Sequence, residues 1–168
     1  MKADVICRTL DRERQAGAGL DDLLESAVAK VHESNPRFHW TGIYELFEDG
    51  MLRLGPFIGS ATDHVFIAVG QGVCGTAVAE RRNINVPDVR LAPNYLACST
   101  ATRSELVVLI RDEGHIYAQI DIDSHDHDAF DIDTVRCVEK VAAWLAKAWS
   151  ELAPERNASP ERRATSAR

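Results

Sequence analysis

The sequence lacks the features of a membrane or exported protein. It contains no apolar run near the roughly 20 residues that a membrane-spanning helix needs. The first 15 residues, MKADVICRTLDRERQ, have no apolar stretch of the kind found in a signal peptide. No internal repeat is present. We therefore predict a cytoplasmic protein that does not contact a membrane.

Cysteine is sparse, and its spacing excludes the usual structural zinc sites. The chain has four cysteines and no CxxC pair. In the cytoplasm these thiols should be mostly reduced, so a disulfide would be transient rather than structural.

Basic residues are outnumbered by acidic ones. Lys and Arg total 19 against 26 Asp and Glu, which gives a formal charge of −7. This balance disfavours nucleic acid as a partner. The length of 168 residues and the 45% hydrophobic content suit one domain with a modest core.

Periodicity predicts an α+β fold. Apolar residues recur at helical spacing from Leu20 to the Ser34-Asn35-Pro36 breaker, and again over about residues 131–152. Between these helices we predict an antiparallel sheet of about six strands, with the N- and C-terminal helices packed on one face. Strands are predicted at 38–47, 51–58, 64–69, 106–110 and 115–123, with a short edge strand in 83–89 and a short helix over 74–82.

The composition also predicts domain limits. Residues 1–19 form a charged lead-in compatible with a helix, and residues 20–152 form the folded domain. Residues 153–168 contain prolines, Ser/Thr and Arg but no large apolar residue, which predicts a disordered tail.

Two motifs each allow two interpretations. The segment Gly70–Gly75, GQGVCG, matches a dinucleotide fingerprint, but the short helix and antiparallel strands favour a tight turn that needs glycine. His125 and His127, with Asp123, Asp126 and Asp128, have the side chains of a metal site, but a solvated polar loop is the more common explanation. We predict neither a metal nor another cofactor.

Two cysteines lie in unusual surroundings. Cys74 is at the predicted start of a helix, where the dipole and free N–H groups favour a thiolate. Cys98 lies in a loop of small polar residues, ACSTATRSE. Cys137 fits a buried position in the last helix, and Cys7 is expected to be inert. From local context alone, Cys74 and Cys98 are equally consistent with reactive and with buried thiols.

Three acidic residues flank an apolar hairpin. If the hairpin turns at Glu113, Glu105 is opposite Asp121, and Asp123 is two residues further on the same face. Crowded carboxyl groups raise one another's pKa, so one could stay protonated at neutral pH. The alternative is an exposed polar sheet face with solvated acids.

The segments GVCGTAVAE, NVPDV, NYLACSTATRSELV and IDIDS, in this order, resemble the free methionine-(R)-sulfoxide reductases, which are single GAF domains. WTGIYEL and LGPFIG resemble the upstream strands of that family. The resemblance covers about residues 20–150 and implies a GAF-like sheet. Its most specific part is two cysteines, a glutamate seven residues after the second, and DxD sixteen residues after that glutamate.

The resemblance implies roles for individual residues. Cys98 corresponds to the catalytic cysteine and Cys74 to a resolving partner. Glu105, Asp121 and Asp123 correspond to the acids that hold free methionine sulfoxide and polarise its S–O bond. Trp40 corresponds to an aromatic residue lining the pocket.

The chemistry of the sulfoxide completes this expectation. Cys98 would attack sulfur and, once methionine departs, be left as a sulfenic acid. It would then form a disulfide with Cys74 and be recycled by a thioredoxin-type reductant. The backbone N–H groups of residues 95–99, which include Tyr95, Ala97 and Ser99, would bind the substrate carboxylate. By analogy with GAF domains that pair through terminal helices, we also expect a homodimer.

The sequence departs from the family pattern in three places. His64 replaces a further family cysteine that helps to regenerate some members, Leu109 replaces a proline, and Ala118 replaces a glycine. The alternatives to a reductase are a GAF small-molecule sensor without catalysis and a thiol peroxidase or redox switch using Cys98 and Cys74.

Overall fold

A computed structural model describes residues 3–93, 95–96 and 99–158. Its helices are α1 (Ala3–Gln15), α2 (Leu20–Glu33), α3 (Gly72–Glu80) and α4 (Ile132–Ala158), with a 3₁₀ turn at Val89–Leu91. Its strands are β1 (Trp40–Leu46), β2 (Met51–Ile58), β3 (Phe66–Ala68), β4 (Ile84–Val86), β5 (Ser104–Asp112) and β6 (His115–Ser124).

The six strands form one antiparallel sheet in the order β3-β2-β1-β6-β5-β4. This confirms the predicted α+β class and the strand count. The short strand β4 lies at one edge, as predicted from Pro87 directly after it. Strands β2, β1, β6 and β5 each have a neighbour on both sides.

Alternation along the strands divides the core between the two faces of the sheet. Leu106, Val108 and Ile110 of β5 pack into a cluster with α1, α2 and α4. Val107 and Leu109 point the other way, into a second cluster that includes residues of α3. The N- and C-terminal helices therefore share one face, as predicted, and α3 covers the other.

The register of the β5–β6 hairpin differs from the prediction. Glu105 is paired with Asp123, and Asp121 is paired with Val107, not with Glu105. A two-residue turn lies between Asp112 and His115, and a bulge next to it leaves an extra residue on β6. The resulting shift of two residues keeps every side chain on its predicted face, because side chains alternate with a period of two.

The ends of the chain extend the helical layer. The lead-in forms α1, whose Ile6 and Leu10 are buried in the first cluster. Helix α4 continues to Ala158 with Pro154 inside it, so the predicted disorder from residue 153 is wrong as far as residue 158. Leu152 and Ala153 pack partly against the core, and these contacts help the helix to continue past the end of its apolar stripe. Residues 159–168 lie outside the described part of the chain.

Within the described residues, no helix combines the length and the apolar character that crossing a membrane requires.

Candidate active site

Three carboxyl groups converge on the face of the sheet that α3 covers. Glu105 and Asp123 pair across the β5–β6 ladder, and Asp121 follows on the same face of β6. Their side chains are 5%, 3% and 1% exposed, respectively. The alternative of an exposed face with solvated acids is therefore wrong.

Burial and mutual repulsion raise the pKa values of these acids. Burial, then Asp121 and Asp123, raise the pKa of Glu105 well above its ordinary value. Burial, then Asp121, raise the pKa of Asp123 in the same way. Burial raises the pKa of Asp121 to about 7, although hydrogen bonding by Cys74 works against the increase. These shifts favour the protonated forms of the acids near neutral pH.

Cys74 reaches this cluster from the first turn of α3. A turn with Gly70 at φ 90° and Gly72 at φ 60° leads into the helix. Gly75 packs so closely that an added Cβ would lie 2.3 Å from the carbonyl oxygen of Ala68. The GxGxxG match therefore reflects turn geometry and close backbone packing, which only glycine permits here.

The Cys74 thiol is buried beside the acids. Its Sγ lies 4.0 Å from Glu105 Oε1 and within 4.8 Å of a carboxyl oxygen of Asp121. Burial of Cys74, which is 4% exposed, disfavours negative charge on its sulfur and weakens the helix-dipole argument for a thiolate. The thiol is better placed to hydrogen-bond the acids than to act as the attacking group.

The thiol and the two carboxyl oxygens also meet the distance requirement of a metal site, and they are the only described residues that do. The polar loop that contains His125 and His127 does not form a metal site. Its Asp126 pairs with Arg37, with 3.0 Å between Nε and Oδ2, and His127 lies 3.7 Å from Asp88. The absence of a metal in the reaction stays a prediction, which activity after chelator treatment would check.

A small cavity of about 50 Å³ opens beside the acids. Asp123, Trp40 and Ser99 are the predicted site residues in its wall. Tyr95 is half-buried in the α3-side cluster and does not line it. The other lining residues, which sequence reasoning missed, are His39, Ser60, Ala61, Thr62, Thr102 and His125. A larger depression of about 380 Å³, between the β5–β6 turn and α4, contains none of the predicted site residues.

Trp40 is a fixed wall of this cavity. Its indole Nε1 donates to the carbonyl oxygen of Ser60 at 3.1 Å, and its ring stacks on Phe57. The ring lies directly against Gly42 and Gly59, where an added Cβ would come within 2.3 Å and 2.5 Å of it. These two glycines are signals in the sequence that could have located the wall.

Cys98 and Ala97, two of the predicted site residues, lie outside the described residues. The described residues on either side have defined places. Leu96 packs against Gly72 at the start of α3, and Ser99 lines the cavity. The roles predicted for Cys98 and Ala97 therefore stay predictions.

His64, at the position of the missing family cysteine, lies between β2 and β3. Its backbone carbonyl accepts a hydrogen bond from the Tyr44 hydroxyl at 2.8 Å, and its amide donates to Thr62 Oγ1 at 3.1 Å. These contacts use only the backbone of His64, so they do not depend on which side chain is present.

Residues 19–149 match the family model described as the GAF domain. The chain belongs to the GAF domain family. It is 36% identical to the free methionine-R-sulfoxide reductase of Escherichia coli over 124 residues, 74% of each chain. It is 38% identical to the Saccharomyces cerevisiae protein of that name over 112 residues, which are 65% of this chain and 62% of the yeast protein.

Solved structures give the same result for this GAF protein. The type II free methionine-R-sulfoxide reductase of Thermoplasma acidophilum superposes with a TM-score of 0.75 at 36% identity, covering 79% of this chain and 94% of that one. The Neisseria meningitidis enzyme, solved with its substrate, gives 0.81 at 27% identity, covering 91% and 89%. The predicted resemblance to this group is confirmed.

Proposed function

We propose that this protein reduces free L-methionine-(R)-sulfoxide to methionine. The observation that carries the proposal is the buried group of three carboxyls beside a thiol, at a cavity walled by Trp40. The similarity to enzymes of this name supports it, and these relatives make the chain an oxidoreductase.

The acids meet the main chemical requirement of sulfoxide reduction. A thiolate displaces oxygen from sulfur only if the oxygen is protonated or strongly hydrogen-bonded as the S–O bond breaks. Burial raises the pKa of Glu105 and Asp123 well above their ordinary values, which favours the proton-donating form of each group. Asp123 lines the cavity, so it is the acid best placed to meet the sulfoxide oxygen.

Cys98 is the proposed attacking residue, on the basis of the sequence motif. Its sulfur forms a bond to the sulfoxide sulfur, and the oxygen takes up a proton from the acid cluster. The S–O bond and the new bond between the two sulfurs then break as the hydroxyl moves to Cys98, which releases methionine and leaves a sulfenic acid. Sulfur of the substrate is thereby reduced and Cys98 is oxidised.

Cys74 is the proposed resolving thiol. It condenses with the sulfenic acid to form a disulfide and one water, and a thioredoxin-type dithiol then reduces that disulfide while becoming oxidised itself. Burial of Cys74 favours its neutral thiol, which suits a group that acts second. Leu96, two residues before Cys98, contacts Gly72, two residues before Cys74, which supports a short path between the two thiols.

The groups around the cavity are of the kinds that recognise a free amino acid. The Trp40 ring offers an apolar wall for the methyl sulfoxide end, and any ionised acid of the cluster would attract the ammonium group. Backbone N–H groups of residues 95–99 are the proposed donors to the carboxylate. Recognition of both charged ends would reject methionine sulfoxide inside a polypeptide.

The test is an assay of the purified protein with each isomer of free methionine sulfoxide. Dithiothreitol and thioredoxin serve as separate reductants, and Cys98→Ser and Cys137→Ser are compared. We expect methionine from the R isomer only, loss of activity in Cys98→Ser, and full activity in Cys137→Ser, which changes a buried thiol of α4.

Failure to release methionine with dithiothreitol at any enzyme concentration would contradict the proposed function. Binding of the R isomer without turnover would indicate a sensor, and peroxide consumption without sulfoxide would indicate a thiol peroxidase. The homodimer and the cytoplasmic location also stay predictions, which sedimentation and cell fractionation check.

A further inference from the structure

Gln119 is a fully buried polar side chain with no hydrogen-bond partner among the described residues. Its exposure is 0%, and neither its amide oxygen nor its amide nitrogen is paired. Its neighbours across the sheet are Tyr44 on β1 and Leu109 on β5. Leu109 has no polar side-chain atom, and the Tyr44 hydroxyl already donates to the carbonyl oxygen of His64.

Asp121, two residues further along β6, also has a buried side-chain oxygen without a hydrogen-bond partner among the described residues. This oxygen is Oδ1. Its cross-strand neighbours are Gly42 and Val107, which have no polar side-chain atoms. Gln119 and Asp121 share one face of the strand with Cα atoms about 7 Å apart, so each is the other's nearest polar neighbour along the strand.

The hydrogen-bonding groups left over match those of one water molecule. A buried water typically makes about three hydrogen bonds to buried polar groups that otherwise have none. A water here accepts from the Gln119 N–H, donates one hydrogen to Gln119 Oε1 and donates the other to Asp121 Oδ1. All three unpaired atoms are then satisfied, as buried polar atoms in folded proteins normally are.

We propose that Gln119 and Asp121 bind one buried water between them, and that Gln119 is thereby a positioning residue for the proton of Asp121. Because the water donates to Oδ1, the proton of the neutral acid resides on Oδ2. Oδ2 is also the oxygen left for the contact with Cys74, since Oδ1 has no partner among the described residues. The catalytic consequence rests on the proposed reductase function, but the water site does not.

The groups around Asp121 determine the direction of the effect. Cys74 faces it from α3, Glu105 from β5 and Asp123 from its own strand, while Gly42 on β1 adds no charge. A hydrogen bond donated by water favours the charged carboxylate over the neutral acid. Loss of the water therefore favours the protonated form of Asp121, and the cluster keeps its protons to a higher pH.

The first experiment is the pH profile of methionine release by Gln119→Met, which keeps the side-chain length but removes the amide. We expect the alkaline limb, where the acid loses its proton, to move up by about one pH unit. Leu109→Met is the matched control, since it changes the opposite residue in the register and should leave the limb in place. An unshifted limb in a folded Gln119→Met protein overturns the proposal.

A second experiment uses the unmodified protein and needs no activity. We expect a nuclear magnetic resonance cross-peak between the Gln119 side-chain amide protons and a long-lived water. Its absence overturns the proposal even if Gln119→Met fails to fold. If the unmodified protein releases no methionine, the proposed function fails while the cross-peak still decides the water site.

Discussion

Glu105 and Asp123 face each other across the β5–β6 ladder, both buried on the side of the sheet covered by α3. Directly paired acidic residues destabilise a sheet when both are charged. The pair is tolerated because burial and the nearby Asp121 raise the pKa of both groups well above their ordinary values. Burial of the two acids therefore both destabilises the fold and favours the protonated forms that can donate a proton.

Glu105→Gln should separate these two effects. The substitution removes a proton donor, so we expect kcat/KM for the R sulfoxide to fall by at least about 100-fold. It also removes a buried acid from the cluster, so the free energy of unfolding at pH 8 should increase. Steady-state kinetics and urea denaturation measure the two quantities, and Glu113→Gln in the exposed turn is the control. A variant that loses stability at pH 8 would contradict this account.

Asp121→Asn should flatten the dependence of stability on pH. The pKa of Asp121 rises from 3.8 to about 7 in the folded protein, so between these values the folded state binds more protons than the unfolded state. The free energy of unfolding of the unmodified protein should therefore fall as pH rises from about 4 to 8, by about 4 kcal/mol at most from this group.

Urea denaturation of Asp121→Asn at pH 5 and pH 8 checks this prediction. We expect a smaller decrease in the variant than in the unmodified protein, and no change in the decrease for Asp63→Asn in the exposed β2–β3 loop. Equal decreases in Asp121→Asn and the unmodified protein would show that Asp121 is already ionised at pH 5 in the fold.

Much of this site followed from the sequence because its key pattern is local. The period of two along a strand placed Glu105, Asp121 and Asp123 on one face, and this outcome survived a register error of two residues. The error itself was not visible in the sequence. A bulge depends on how Ile110 and Arg111 fit against β6, and no residue type there specifies it.

The rest of the cavity could not be predicted because it depends on tertiary packing. His39 and His125 lie 86 positions apart, yet their rings stack with centroids 3.9 Å apart beside the cavity. Ser60 joins the same wall through its bond to Trp40. Ser60 and His125 belong to loops and His39 directly precedes β1, so only the folded sheet brings these residues together.

Gly59→Ala should weaken substrate binding by moving the Trp40 ring. A Cβ at this position, where φ is 135°, would lie 2.5 Å from the ring and 3.0 Å from its backbone. We expect KM for the R sulfoxide to rise about tenfold and stability to fall by about 1–3 kcal/mol. Gly17→Ala is the control, since Gly17 also has positive φ, at 98°, but has open space around it. A normal KM in a folded Gly59→Ala protein would contradict the proposed contact between Trp40 and the substrate.

Cys74→Ser should distinguish recycling from reduction. The resolving thiol acts after methionine has left, and dithiothreitol can reduce the Cys98 sulfenic acid directly. We therefore expect near-normal turnover with dithiothreitol but a decrease of at least about tenfold with thioredoxin. The serine hydroxyl keeps a hydrogen-bond donor beside Glu105, so the acid cluster should be little disturbed.

A thiol count during a single turnover completes the test of Cys74. With one equivalent of sulfoxide and no reductant, the unmodified protein should lose two thiols and Cys74→Ser only one, its Cys98 remaining as a sulfenic acid. If Cys74→Ser also loses two thiols, another cysteine resolves Cys98. If the unmodified protein forms the disulfide but thioredoxin does not reduce it, the presence of His64 in place of the family cysteine would account for the failure. His64→Cys should then restore turnover with thioredoxin.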